Sequence, residues 1–207
     1  MGALPPAAGL TPVGLVLNER GWARARAAGC REINVSLMAS DTFNRRNQGV
    51  GTDASIAQWA VIAAAAEAVA VRATLTIGAA FGCPFEGEIA VRRLVEVATA
   101  AVAAARPAEL ALADTIGVAV PRDVRERLTA IGAELPSVRL LVHFHNTRNT
   151  GLANALAAVE AGVRIVDASL GGIGGCPFAP RATGNIPTED VAYLLARSGY
   201  ATGLDLD

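Results

Sequence analysis

Strand and helix signals alternate from one end of this chain to the other, and that alternation limits it to very few folds. Short β-branched runs lie at 14–17, 32–37, 71–77, 109–113, 139–145 and 164–169. Ala-rich helical stretches lie between most of them, at 55–70, 91–105, 122–133, 150–161 and 188–197. The expected helix marks are present. Asp53 or Ser55 can cap one helix, Pro121 and Pro187 sit near helix starts, and Gly162 and Gly199 follow helix ends. Units of roughly 30 residues in this order build a parallel sheet with helical crossovers. The strands are apolar on both faces, as in a sheet covered by helices.

A barrel and an open doubly wound sheet both satisfy that pattern. No GxGxxG opens the first helix, so a dinucleotide-binding reading is weak. Four glycines, Gly171, Gly172, Gly174 and Gly175, come after the last strand instead. Polar residues collect at strand C-terminal ends: Ser36 and Ser40, Asp114 and Thr115, His143 to Asn146, and Ser169. In a (β/α)8 barrel that end carries the active site, and a closed barrel needs eight strands. The reading is therefore an α/β chain forming an incomplete (β/α)8 TIM barrel. It has about six βα units, lacks the first two strands, and makes residues 1–207 one partial domain.

Composition excludes several functions. The formal charge is −1, which gives no field for nucleic acid or an anionic membrane surface. No lysine occurs, all 18 Lys+Arg residues being arginine. Schiff-base chemistry and a P-loop, which need a lysine, are thereby excluded. Cys30, Cys83 and Cys176 are odd in number and form no CxxC pair, so a reducing, cytoplasmic setting is expected. Residues 1–9 lack the marks of a signal peptide. The apolar stretch 59–73 is too short for a membrane span and is interrupted by Glu67 and Arg72.

Few residues can carry chemistry. His143 and His145, the only two histidines, stand at i and i+2 at a strand end, so both side chains point to one face. Neutral imidazoles are ready metal ligands, although a strand end can also hold two unrelated polar residues. Phe144 then points toward the helix layer. Asp114, in Leu-Ala-Asp-Thr-Ile-Gly, can bind metal, orient a ligand or simply close a turn. Cys176 lies in the loop Gly172-Ile-Gly-Gly-Cys-Pro-Phe-Ala179, where a thiol acid or base is plausible beside the buried-cysteine alternative. Asn185 can cap the helix that follows or offer a carbonyl oxygen to a metal. Cys83, on a second Gly-Cys-Pro loop, reads as structural, and Cys30 as core. Arg148 and Arg181 near the rim can meet anionic groups, but lone arginines are more often solvated.

Together these motifs resemble the 3-hydroxy-3-methylglutaryl-CoA lyase family. The resemblance rests on His143-Phe-His145-Asn-Thr, Asn154, Gly-Ile-Gly-Gly-Cys-Pro-Phe-Ala and Thr-Gly-Asn185-Ile-Pro-Thr-Glu-Asp190, together with Gly82-Cys-Pro-Phe-Glu-Gly87 and Asp114-Thr-Ile-Gly117. It implies a metal-dependent carbon–carbon lyase of leucine breakdown that cleaves the CoA thioester to acetyl-CoA and acetoacetate. It implies that His143, His145 and Asn185 are metal ligands, Cys176 the catalytic cysteine and Asp114 the acidic residue that positions the reacting hydroxyl. Mg²⁺ or Mn²⁺ suits that oxygen and nitrogen set. A proton leaves the substrate hydroxyl, the C–C bond breaks, and the acetyl-CoA enolate takes up a proton, for which Cys176 is the expected donor. A small-molecule CoA thioester is the expected partner, with neither nucleic acid nor membrane, and the chain is expected to form a homo-oligomer, a dimer.

The chain departs from the family at its beginning. The family's first strand ends in an Arg-Asp pair and its second contributes a glutamate, and none of these has a counterpart here. Loss of one such electrostatic donor costs on the order of a hundred- to a thousandfold in rate. An N-terminally truncated lyase, read from a mis-assigned start, is the favoured explanation. Two other readings stand beside it: a related lyase on another 3-hydroxyacyl-CoA or a 4-hydroxy-2-oxo acid, and a non-catalytic metal-binding or interaction fragment.

Overall fold

The computed structural model describes residues 11–175 and 184–206. Its elements run β1 (Val13–Val16), α1 (Glu19–Ala27), β2 (Glu32–Met38), α2 (Asp41–Gln48), α3 (Thr52–Glu67), β3 (Arg72–Gly78), β4 (Gly82–Cys83) and β5 (Gly87–Glu88). They continue through α4 (Val91–Ala104), β6 (Leu110–Asp114), α5 (Pro121–Glu134), β7 (Leu140–Phe144), α6 (Gly151–Glu160), β8 (Ile165–Asp167), a 3-10 turn at Leu170–Gly172 and α7 (Thr188–Arg197).

Six strands form one sheet in the order β1-β2-β3-β6-β7-β8. All five pairings are parallel. The order never reverses, whereas a doubly wound sheet reverses at its switch point. A sheet wound in one direction curls toward a barrel, and six strands make a half-barrel with β1 and β8 as its edges.

The helix-facing side of the sheet is the core. Ile33, Leu37, Leu75, Ile77, Leu110 and Leu112 are fully buried there, beneath Trp59 and Ile62 of α3 and Ile131 of α5. Each such side chain contributes roughly 1.5–3 kcal/mol on leaving water. Trp59 Nε1 also donates to the carbonyls of Ala101 and Ala105, at 3.1 Å each, and so ties α3 to the end of α4. At the N-terminal ends of the strands, Arg72 bridges Glu32 and Glu109, and Arg139 reaches Glu109 at 3.4 Å.

All six expected strands form, and every expected helix is present within a few residues. Two helices were not anticipated. α1 and α2 bury only two residues each, so a polar sequence conceals their periodicity. Their caps explain them: Asn18 accepts from the amide of Gly21 at 3.0 Å, and Ser40 from that of Phe43 at 3.3 Å. The cap of α3 differs from expectation. Gly51 holds the N-cap without a side-chain bond. Asp41 Oδ1 accepts from the amide of Thr52 instead, at 2.9 Å, while Ser55 donates to Gln48 Oε1 at 3.2 Å. Among the described residues no helix is long and apolar enough to cross a membrane.

Candidate active site

The C-terminal end of the sheet gathers the candidate residues. His143 pairs with Ala113 on one side and Asp167 on the other, so three strands meet at one level of the rim. The rings of His143 and His145 stand 5.2 Å apart between centroids, edge to face. Phe144, between them in sequence, is buried on the opposite side against Phe81, at 5.9 Å between centroids. Period-two alternation therefore places both imidazoles on the inner face, as expected.

Asn185 joins them through the backbone. It forms an isolated antiparallel bridge with His145. The amide of Asn146 donates to the carbonyl of Gly184 at 3.0 Å, and that of Ile186 to Phe144 at 3.3 Å. The Asn185 side chain donates through Nδ2 to Ile173 O at 3.1 Å and to Ser169 Oγ at 3.4 Å. Its Oδ1 is buried and accepts no hydrogen bond. A buried amide oxygen without a donor is costly, which marks it as a candidate ligand atom; the Oδ1 atoms of Asn47 and Asn154 share that state away from the histidine pair. The glycines around it are required. A Cβ at Gly174, which has φ +133°, would lie 2.5 Å from Asn185 Nδ2, and one at Gly172 would lie 2.8 Å from Asn185 O. Asn185 does not cap α7, because Pro187 holds that position.

Electrostatics favour neutral imidazole. Burial, and secondarily His145, push the His143 pKa from 6.5 down to about 4. Asp167 Oδ2 lies 3.8 Å from His143 Nδ1, with 44% of its side chain exposed. Burial nonetheless raises the Asp167 pKa from 3.8 to about 6. Sequence reasoning missed Asp167, although its signal was the one that singled out Asp114: a carboxylate at the C-terminal end of a barrel strand.

Asp114 makes the contacts of a turn residue. Fully buried, it accepts from the amide of Val118 through Oδ1 at 3.0 Å and from that of Ala119 through Oδ2 at 2.9 Å. Burial raises its pKa against the pull of these amides and of His145. Cys83 is structural as expected: buried, its sulfur accepts from Ser40 Oγ at 2.9 Å and from the amides of Phe85 and Glu86 at 3.4 Å each. Cys30 is buried in the core. Arg148 donates to the carbonyl of Gly117 at 3.2 Å. Cys176 and Arg181 lie outside the described residues.

Among the described residues, no three His, Cys, Asp or Glu side chains cluster to hold a metal. The candidate donors at this rim are the imidazoles of His143 and His145 and the amide oxygen of Asn185. Two imidazoles and an amide carbonyl without a donor are a donor set that suits a divalent cation.

A family model described as HMGL-like matches residues 10–207. An (R)-citramalyl-CoA lyase of Chloroflexus aurantiacus is 46% identical over 192 residues, covering 93% of this chain and 60% of that protein. A hydroxymethylglutaryl-CoA lyase of Pseudomonas mevalonii is 37% identical over 204 residues, covering 99% and 67%. The chain thus spans about three-fifths to two-thirds of the length of these relatives. The crystal structure of the HMG-CoA lyase of Brucella melitensis superposes with a TM-score of 0.92 at 34% identity, covering 99% of this chain and 72% of that one. An HMG-CoA lyase of Acinetobacter baumannii, in complex with coenzyme A and 3-methylmalate, gives 0.92 at 37% identity, covering 100% and 67%. By sequence and by fold, the chain belongs to the HMGL-like family.

Proposed function

We propose that this chain is a carbon–carbon lyase that cleaves a hydroxyacyl-CoA thioester with a divalent cation held by His143, His145 and Asn185. The observation that carries this reading is the backbone bridge that sets Asn185, whose amide oxygen is buried and has no donor, opposite one of two adjacent inner-face imidazoles. Mg²⁺ or Mn²⁺ suits the donor set. When bound, such a cation supplies Lewis acidity toward the substrate's oxygens.

The protein's own residues set up the rest. His143 stays neutral, so its lone pair is available at neutral pH. The bridge at His145 and the bonds of Asn185 Nδ2 fix the direction of the amide oxygen. Asp114 holds its turn closed beside His145. Cys176 is the proposed proton donor to the acetyl-CoA enolate.

Hydroxymethylglutaryl-CoA, cleaved to acetyl-CoA and acetoacetate in leucine breakdown, is one substrate reading. The higher identity to a citramalyl-CoA lyase, 46% against 37%, favours citramalyl-CoA as a second. The test is a cleavage assay with both thioesters and Mg²⁺, scoring acetyl-CoA release. Turnover that disappears in His143→Ala and Cys176→Ala, with Mn²⁺ binding kept in the cysteine variant, supports the proposal. Failure of a folded chain to bind Mn²⁺ or to cleave either thioester overturns it.

A further inference from the structure

Arg127 is a buried cation for which the proposed chemistry has no use. It lies on α5 and is 3% exposed. Among the described residues its hydrogen-bond partners are carbonyls and not a carboxylate. Nε donates to Ala80 O at 3.0 Å and Nη2 to Ile89 O at 2.8 Å. Burying a guanidinium without a counter-charge is expensive, so its two bonds need a compensating role. Those bonds grip both ends of residues 80–89, the rim segment that contains β4 and β5. The guanidinium also lies 5.3 Å from the centroid of the Phe81 ring. Phe81 packs on Phe144, the residue between the two histidines.

The arrangement repeats around the sheet. Arg93 on α4 donates to Ala39 O, just past β2, at 3.2 Å. Asn154 on α6 donates to Ala119 O, past β6, at 2.9 Å. In all three cases the helix of one βα unit holds the rim loop of the unit before it. We propose that Arg127 is a positioning residue that clamps rim segment 80–89 and, through Phe81 and Phe144, backs the strand end that presents His143 and His145. The second half of this proposal rests on the metal-site reading given above.

Amide hydrogen exchange and Mn²⁺ titration on the whole chain test it. Arg127→Met keeps the bulk and removes the donors. It should speed exchange at residues 80–89 by about tenfold, leaving α1 and α3 at parental rates. It should also weaken Mn²⁺ binding on the order of tenfold, as loss of a supporting partner does. Arg127→Lys should restore part of both effects. Phe81→Leu leaves the two carbonyl bonds intact and should weaken Mn²⁺ binding without the full exchange effect. Parental exchange at 80–89, or the same acceleration along the whole chain, overturns the clamp. Unchanged Mn²⁺ affinity alongside faster local exchange overturns the link to the histidines. A parent chain that fails to bind Mn²⁺ defeats the metal reading, and the exchange experiment still decides the clamp.

Discussion

Asn185 stands directly opposite His145 in an isolated antiparallel bridge at the end of β7. That bridge brings a residue from just before α7 back past the 3-10 turn, β8 and α6 to the rim end of β7. It sets beside the histidine pair a residue whose amide oxygen is buried and has no hydrogen-bond partner, the third donor of the proposed site.

Replacing that oxygen should separate ligation from stability. Asn185→Ala is expected to weaken Mn²⁺ binding about 10- to 100-fold or more. Folding stability should move by only about 1 kcal/mol, because lost donor bonds are offset by removal of an unsatisfied acceptor. Calorimetric titration and urea unfolding would measure the two effects. An unchanged affinity removes Asn185 from the site.

His143 and Asp167 should set opposing pH dependences of stability. The folded chain holds His143 neutral, with its pKa moved from 6.5 to about 4. The unfolded chain binds that proton first, so stability rises as pH climbs through this window. Asp167 moves from 3.8 to about 6, so the folded chain holds its proton longer and stability falls as pH climbs between those values. Asp167→Asn removes the falling limb and should leave a steeper rise in the midpoint of urea unfolding from acid toward neutral pH. His143→Gln should leave the fall. Superimposable profiles for parent and Asp167→Asn would contradict the raised carboxyl.

Asp114 accepts one bond on each oxygen from the turn that follows β6. Asp114→Asn turns one acceptor into a donor that faces an amide hydrogen. It should cost about 1–3 kcal/mol, read from urea unfolding. If the carboxylate acts mainly through its turn, Mn²⁺ affinity should fall much less than in Asn185→Ala. A loss of affinity equal to that of Asn185→Ala would place Asp114 among the ligands instead.

Cys83 is the centre of its turn, with three donors on one sulfur. Cys83→Ala leaves those donors unpaired and should lower stability by about 1–3 kcal/mol. Cys83→Ser keeps an acceptor and should recover part of it. Equal stability in all three proteins would show that the sulfur contacts carry no weight.

Residue order alone determined the parallel sheet with helical crossovers and the shared face of the histidine pair, while the unreversed strand order that makes the sheet a barrel belongs to the tertiary structure. Regular alternation forces a parallel sheet, and the i, i+2 spacing puts His143 and His145 on one face whatever surrounds them. Tertiary structure decided the rest, because the deciding contacts join residues distant in the chain. Asn185 comes level with the histidine pair only through its bridge to His145, and otherwise reads equally well as a helix cap. Asp114 is a turn acceptor because two amides of its own loop converge on it, a geometry that composition does not encode. Asp167 matters because parallel register sets it level with His143. Arg127 reads as one more helix arginine until packing buries it against the carbonyls of another βα unit. Local sequence sets periodicity, and periodicity sets the elements and their faces. Which polar atom is left without a partner, and which charge is buried, depends on the packing of whole elements.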